Sequence, residues 1–222
     1  MSAGRPIGPL PHLAHPWHGV SAGDDAPARL TVFIEMVPSD TVKYEVDKVS
    51  GLLRVDRPQK YSALCPTPYG FVPRTLCAER VAALAAERTG RAGVVGDGDP
   101  VDVCVLSERA INQGNVLVTA RPIGGFRMFD GEEADDKILA VLDGDAAYGE
   151  LRDVDDCPGW VIERLRHYFL SYKDMPDAGD RQTEIAQVYG AAEARDVVRR
   201  ALEDYASRFG DAAGAAPRAP GP

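Results

Sequence analysis

The sequence predicts an α+β fold in which a β-barrel is followed by two helices. Short runs rich in β-branched residues recur between residues 30 and 142, separated by clusters of Gly, Pro and Asp, a pattern typical of barrels and sandwiches. After residue 157, apolar residues recur at helical spacing. With 222 residues, 45% of them hydrophobic, the chain is long enough to bury the core of one such domain.

The predicted strands are short and bounded by turn-forming residues. They cover residues 30–37, 42–46, 52–55, 101–106, 116–122 and 138–142. The second and third are expected to form a hairpin around the Lys48-Val49-Ser50-Gly51 turn, because glycine permits the tight turn that joins two antiparallel strands.

Two helices are predicted in the last third of the chain. The first begins near Pro158, and its apolar face consists of Val161, Leu165, Tyr168, Phe169 and Tyr172. The apolar face of the second consists of Ala194, Val197, Val198, Ala201, Leu202, Tyr205 and Phe209. Gly210 is a suitable stop signal for this second helix.

The remaining segments suggest one domain with extensions. Residues 29–210 are expected to form that domain. Residues 1–28, rich in Pro, Gly and Ala, are predicted to be an arm lying on the surface or partly disordered, and residues 211–222 a disordered tail. Residues 78–96 differ in composition from the predicted strands around them, because they are rich in Ala and Arg, with Gly following. They are predicted to be a peripheral insert, a loop or hairpin.

The composition argues against nucleic-acid binding and against a membrane-spanning helix. Lysine and arginine total 25 against 34 aspartates and glutamates, a net charge of −9, whereas nucleic-acid binders rely on cations that neutralise phosphates. No apolar run approaches the ~18 residues that a membrane helix requires. The first residues lack a secretory pattern and the four cysteines form no CxxC pair, so a cytoplasmic protein with reduced thiols is expected.

Residues 97–102, Asp-Gly-Asp-Pro-Val-Asp, carry the sharpest chemical signal. Three carboxylates crowd into six residues at the start of a predicted strand, and such repulsion is usually relieved by a cation or by solvent. Gly98 and Pro100 suit a sharp turn that lets Asp97 and Asp102 face one cavity. An acidic surface turn is the alternative. A calcium EF-hand loop does not fit, since Asp102 stands where that loop requires glycine.

A second acidic cluster spans residues 130–137, between two other predicted strands. Alone it would be interpreted as a solvated loop, but it and the first cluster could meet at one barrel mouth. Carboxylates without imidazole or thiolate neighbours favour magnesium, manganese or calcium. His12, His15 and His18 have Pro11 and Pro16 beside them, which disfavour a helix, and no acid or cysteine accompanies them, so they are not interpreted as metal ligands.

These motifs, taken in order, resemble the soluble family I inorganic pyrophosphatases. The similar stretches are Glu35 in Phe-Ile-Glu-Met-Val-Pro, Lys-Tyr-Glu-Val-Asp-Lys at 43–48, Asp56-Arg57, Pro-Tyr-Gly-Phe at 68–71, Asp-Gly-Asp-Pro-Val-Asp-Val at 97–103, Asp130 with Asp135-Asp136-Lys137, and Tyr172-Lys173-Asp174. The resemblance covers about residues 29–175. It implies an OB-like five-stranded barrel whose mouth binds several Mg²⁺ ions, or Mn²⁺, together with pyrophosphate.

The resemblance also implies a role for each matching residue. Asp97, Asp102 and Asp135 look like ligands of a tight metal pair, with Asp102 bridging. Asp130 would help to bind a metal that arrives with substrate, and Glu35 would act nearby through water. Asp99 resembles the general base. The phosphate-binding groups would be Lys43, Arg57, Tyr69, Lys137, Tyr172 and Lys173, with Glu45 in support.

This resemblance predicts an Mg²⁺-dependent enzyme that hydrolyses pyrophosphate to two phosphates and forms a homo-oligomer. Cys65 departs from the family pattern, because many members carry a second active-site tyrosine at that position. A metal-dependent phosphatase acting on other polyphosphates or on nucleotides is one alternative. A noncatalytic OB-type binding module is another, although it would need a basic face with exposed aromatic residues.

Overall fold

Ten strands and three α-helices make up the computed structural model over the residues it describes, 14–173 and 183–210. The strands are β1 (Leu30–Met36), β2 (Val42–Val46), β3 (Leu53–Pro58), β4 (Tyr69–Phe71), β5 (Val95–Gly96), β6 (Asp102–Leu106), β7 (Val116–Asp130), β8 (Glu133–Ala134), β9 (Lys137–Leu142) and β10 (Thr183–Gly190). The helices are α1 (Glu79–Thr89), α2 (Gly159–Ser171) and α3 (Ala191–Phe209).

Five strands close into a ring in the order β1-β4-β6-β9-β7. The 15-residue strand β7 closes it, since its first part pairs with β1 and its middle with β9. Strands β6 and β9 are parallel, and the other neighbours in the ring are antiparallel. Gly70 is required where β4 pairs with β1, because a Cβ there would lie 1.8 Å from the Phe33 carbonyl oxygen. The predicted OB-like α+β fold is confirmed.

The predicted hairpin is confirmed as β2 and β3, which form a separate two-stranded sheet beside the ring. Lys43 of β2 lies opposite Arg57 of β3, and a register irregularity follows this pair. The hairpin therefore brings two cations together at one end, although they are distant in sequence.

Both C-terminal helices are confirmed and cover the ring from different sides. Helix α3 buries Ala194, Val197 and Val198 in one cluster with side chains of β1, β6 and β9. Helix α2 buries Leu165 and Phe169 in a second cluster with the remaining faces of β6, β7 and β9. The period of the apolar residues predicts the buried face of each helix, except that Leu202 of α3 is only partly buried and Phe209 at its end is 39% exposed.

The prediction of a loop or hairpin at residues 78–96 is wrong, because most of this segment is helix α1. Val81 and Leu84 of α1 are buried in the cluster that also contains α3 residues. The helix ends at Gly90, whose φ of +69° is the left-handed conformation common after helices. Alanine-rich sequence with acidic and basic ends favours a helix, and that signal was available.

The N-terminal arm also differs from its prediction where it is described. Trp17 and Ala22 are buried, at 5% and 6% exposure, so this part of the chain belongs to the packed structure rather than lying on the surface. Residues 1–13 and the predicted tail at 211–222 lie outside the described residues. Strand β10 was not predicted; it pairs with the second half of β7.

None of the described helices is long and apolar enough to span a bilayer. All four cysteines are buried and free.

Candidate active site

A cavity of about 320 Å³ lies between the hairpin, one end of the ring and the C-terminal end of α2. All the predicted site residues line this one cavity. They are Glu35, Lys43, Glu45, Arg57, Tyr69, Asp97, Asp99, Asp102, Asp130, Asp135, Lys137, Tyr172 and Lys173. The fold therefore gathers motifs that are spread over nearly 140 residues of sequence.

The acidic segment 97–102 is held by backbone hydrogen bonds to residues 75–77. Cys77 N donates to the Asp99 carbonyl at 2.8 Å, and Val101 N donates to the Thr75 hydroxyl at 2.9 Å. Asp97 Oδ1 accepts from Asp99 N at 2.9 Å, which closes the turn that Gly98 permits with a φ of +75°. All three carboxylates of this segment line the cavity, but Asp99 is 48% exposed whereas Asp102 is 24% exposed.

Lys137 lies between two of the carboxylates. In the parallel pairing of β6 and β9 it stands opposite Asp102, and its Nζ donates to Asp102 Oδ2 at 2.5 Å and also contacts Asp135. Burial alone would lower the pKa of Lys137, but the two carboxylates outweigh it and raise that pKa well above its usual range. Lys137 therefore stays cationic while 3% exposed.

The donor set fits a hard divalent cation. Burial, followed by repulsion from Asp135, raises the pKa of Asp97 to about 8, and burial also raises the pKa of Asp102 despite Lys137. Lys137 alone thus does not offset the cost of ionising all these carboxyl groups, and a divalent cation would favour their ionised forms. Carboxylate oxygens suit Mg²⁺ or Mn²⁺. Within residues 14–173 and 183–210, however, no three acidic, histidine or cysteine side chains already converge closely enough to hold an ion.

The hairpin supplies cations to the opposite wall. Lys43 contacts Glu45 and lies 3.7 Å from Asp56 Oδ2, and Arg57 also contacts Asp56. Burial would lower the pKa of Lys43, but the hydrogen bond to Glu45 and the charges of Glu45 and Asp102 together outweigh it and raise that pKa. The paired carboxylates hold the two cations in place before an anion enters.

Glu35 connects the hairpin to the ring. Its Oε1 accepts from Val46 N of β2 at 2.6 Å, and its side chain is on β1 at 7% exposure. Burial raises the pKa of Glu35 to about 8, although the Val46 bond opposes the shift.

Tyr172 and Lys173 reach the cavity from the end of α2. Lys173 Nζ donates to Asp130 Oδ2 at 2.5 Å, and its carbonyl accepts from Lys60 Nζ at 2.5 Å. The Arg57 guanidinium lies 5.9 Å from the Tyr172 ring centroid. Tyr69 is buried beside these groups, and its burial, followed by the Asp102 charge, raises its pKa well above its usual range. Its hydroxyl is therefore kept protonated and able to donate a hydrogen bond.

The composition of this cavity accords with the comparison of the chain with known proteins. A family model described as inorganic pyrophosphatase matches residues 32–206, most of the chain. The chain belongs to the inorganic pyrophosphatase family. The hairpin, α2 and the ring, apart from the first two residues of β1, fall within the matched residues.

Relatives within the inorganic pyrophosphatase family match along most of their own length. The inorganic pyrophosphatase of Chlamydia trachomatis serovar D is 48% identical over 201 residues, covering 89% of this chain and 96% of that protein. The soluble inorganic pyrophosphatase of Zea mays is 35% identical and covers 87% and 80%. The crystal structure of the inorganic pyrophosphatase from Thermus thermophilus has a TM-score of 0.72 at 27% identity, covering 86% of this chain and 98% of that one.

Ten further described residues line the cavity without having been predicted as site residues, and three of them, Asp56, Lys48 and Trp17, bear on how the site is held together. Lys48 lies in the motif at residues 43–48 and Asp56 in the Asp56-Arg57 motif, so the motifs themselves could have indicated both as site residues. Lys48 contacts Asp99 from the hairpin turn. Trp17 had no sequence signal, because it lies in the Pro- and His-rich arm. Cys65, the departure from the family pattern, packs in the apolar cluster with Tyr69 and Tyr168.

Proposed function

We propose that this chain hydrolyses inorganic pyrophosphate to two phosphates in an Mg²⁺-dependent reaction. The observation that carries the proposal is that one wall of the cavity carries a group of carboxylates and the opposite wall carries cations. Asp97, Asp102 and Asp135 are grouped around Lys137, while Lys43 and Arg57 face them from the hairpin. Pyrophosphate is a small polyanion, so its recognition requires cations on more than one side.

Asp97, Asp102 and Asp135 would hold the resident metal ions, with Asp130 and Glu35 as further oxygen donors at the same cavity. Bound Mg²⁺ supplies charge neutralisation for the anion and lowers the pKa of a coordinated water, and Mn²⁺ has similar ligand preferences. The crowding of Asp97, Asp102 and Asp135 at one cavity and the absence of nitrogen or sulfur donors among the proposed ligands support this assignment.

Asp99 would accept the proton of the attacking water. Its carboxylate is half-exposed at the cavity mouth, where water has direct access, and Lys48 contacts it. General-base catalysis requires such a group within hydrogen-bond reach of the nucleophile. Among the proposed ligands, Asp102, Asp130 and Asp135 are more deeply buried and suit ligand roles better.

The cations and phenols of the cavity would bind and orient the two phosphates. Arg57 can donate two parallel hydrogen bonds to phosphate oxygens, which a lysine cannot do. Glu45 holds Lys43 in place, and Asp130 does the same for Lys173. Catalysis would then come from positioning and from electrostatic stabilisation of the departing phosphate.

The experiment is phosphate release by the full chain from pyrophosphate, tripolyphosphate and ATP, each with Mg²⁺ and with EDTA. We expect rapid, Mg²⁺-dependent release from pyrophosphate and much slower release from the others. Faster release from ATP or tripolyphosphate would favour the general phosphatase instead. No release from any substrate would favour the noncatalytic binding module.

Two further expectations accompany this function. Free, buried cysteines suit a reducing compartment, which supports the cytoplasm as its location. A homo-oligomer remains a prediction from the family resemblance, and light scattering coupled to size-exclusion chromatography would measure its mass.

A further inference from the structure

The hairpin that carries Lys43 and Arg57 is not part of the ring. In the described sheets, β2 and β3 hydrogen-bond only to each other. The Glu35 carboxylate attaches β2 to β1 through Val46 N, Tyr44 packs against the apolar cluster that contains α2, and Lys48 contacts Asp99. The position of both cations relative to the carboxylates must therefore depend on contacts outside the sheet.

Residues 15–17 make such contacts at the hairpin turn. His15 Nδ1 accepts from Trp17 N at 3.2 Å, so His15 Nε2 carries the hydrogen and donates to the Lys48 carbonyl at 3.2 Å. The His15 ring also covers Gly51, where a Cβ would lie 2.9 Å from its Cδ2 atom. The turn of the hairpin is thus packed directly against this segment.

Trp17 joins the hairpin to the body of the protein. It is 5% exposed and belongs to a cluster against which Val46 of β2 and Leu53 of β3 pack. The other members of the cluster come from the ring, from the segment after β4 and from α3, and they are Phe33, Phe71, Leu76 and Tyr205. A tryptophan at this point buries apolar surface from the hairpin, the ring, the segment after β4 and α3 at once.

The indole also has a fixed polar contact. Trp17 Nε1 donates to the Thr75 carbonyl at 2.8 Å, and the Thr75 hydroxyl accepts from Val101 N at 2.9 Å. One residue, Thr75, therefore bonds both Trp17 and the acidic segment that contains Asp97 and Asp99. The indole lies in the wall of the cavity between that segment and the hairpin.

From these contacts we infer that Trp17, assisted by His15, is a positioning residue that docks the hairpin and sets the distance between its cations and the metal-binding carboxylates. The inference rests on the proposed function. If the hairpin is docked in only a fraction of molecules, the apparent affinity for substrate falls by that fraction. Bound substrate restores docking, so turnover of the bound complex changes little.

The test compares Trp17→Ala with Trp160→Ala, a matched control because Trp160 is 62% exposed on α2 and away from the cavity. We expect Trp17→Ala to raise KM for pyrophosphate about tenfold with kcat within about twofold, and Trp160→Ala to change neither. Trp17→Phe retains most of the apolar contact and should recover most of the affinity. His15→Ala, a milder change, should raise KM less.

Hydrogen exchange of the same variants, without substrate, separates docking from general stability. Trp17→Ala should accelerate exchange in peptides from residues 42–58 and leave those from β6 and β9 unchanged. If Trp17→Ala does not fold, His15→Ala provides the same comparison. Unchanged KM in a folded variant, or exchange accelerated equally everywhere, would overturn the inference. A wild-type chain without pyrophosphatase activity would refute the proposed function, while the exchange data would still decide whether Trp17 docks the hairpin.

Discussion

Arg127 and Asp136 form a fully buried ion pair, with 3.2 Å between Arg127 Nη2 and Asp136 Oδ2. Tyr189 donates its hydroxyl to the same Asp136 oxygen at 3.1 Å, and Glu193 lies 2.6 Å from Arg127 Nη1. Asp136 stands between Asp135 and Lys137, both of which line the cavity while it does not. The pair thus anchors the opposite face of the backbone segment that carries two site residues.

Removing one member of this pair should cost more than removing both. Arg127→Met leaves the Asp136 carboxylate buried with only the Tyr189 hydroxyl, and the free energy of unfolding should fall by about 3–5 kcal/mol. Arg127→Met combined with Asp136→Leu removes both charges and should cost less. Urea unfolding of wild type, single and double variants measures this, and a double variant less stable than the single one would contradict it.

Asp204 of α3 should stabilise the start of α1. Its carboxylate is fully buried and accepts from Ala78 N, Arg80 N and Val81 N at 3.0 to 3.3 Å, where α1 has no cap of its own. Asp204→Ala leaves those N–H groups unpaired and should cost about 1–3 kcal/mol. Glu203→Ala is the control, because its ion pairs are exposed and worth at most about 1 kcal/mol. Equal losses in thermal unfolding would refute the cap.

Replacing residues 78–96 with a short linker should abolish folding. A peripheral insert would tolerate this change, but α1 buries Val81 and Leu84, and each such side chain stabilises by about 1.5–3 kcal/mol. The preceding Cys77 also binds the acidic segment. Circular dichroism should show no cooperative thermal transition. A cooperative transition with retained turnover would restore the interpretation as a dispensable insert.

Activity should vanish in EDTA and return when Mg²⁺ is added. All proposed ligands are carboxylate oxygens, whose repulsion requires a cation. Ca²⁺ should bind but support little turnover, since its longer and looser coordination positions water less well. Phosphate-release assays on metal-stripped protein with each ion measure this. Robust hydrolysis without metal would contradict the proposal.

Variants at Asp99 and Asp102 should have different defects, the first in proton transfer and the second in metal binding. Asp102→Asn removes a buried negative charge beside Lys137, so Mg²⁺ affinity should collapse and activity should recover only partly at high Mg²⁺. Asp99→Asn changes a half-exposed group and should retain much of the metal binding while slowing turnover by ~10²–10⁴-fold. Calorimetric Mg²⁺ titration beside kinetics distinguishes them. Equal loss of metal affinity in both variants would make Asp99 a ligand.

The sequence was a good guide wherever the signal was local. Strands β1, β2, β3, β6 and β9 and both C-terminal helices follow from the spacing of apolar residues and from the Gly and Pro between them. The carboxylates were recognisable because their crowding within 97–102 is costly without a cation. The family motifs then indicated the cations, and the structure places all of these residues around one cavity.

The tertiary structure decided what depends on contacts between distant residues. Trp17 lies in an arm without periodicity, and only its position beside Val46, Leu53 and Thr75 makes it a candidate for positioning the hairpin. Asp204 is one of several acids on α3, and only the meeting of α3 with α1 makes it a cap. Local sequence determines which backbone conformations and charges are available. Which of them meet is decided by the closure of the ring and the burial of apolar surface that accompanies it.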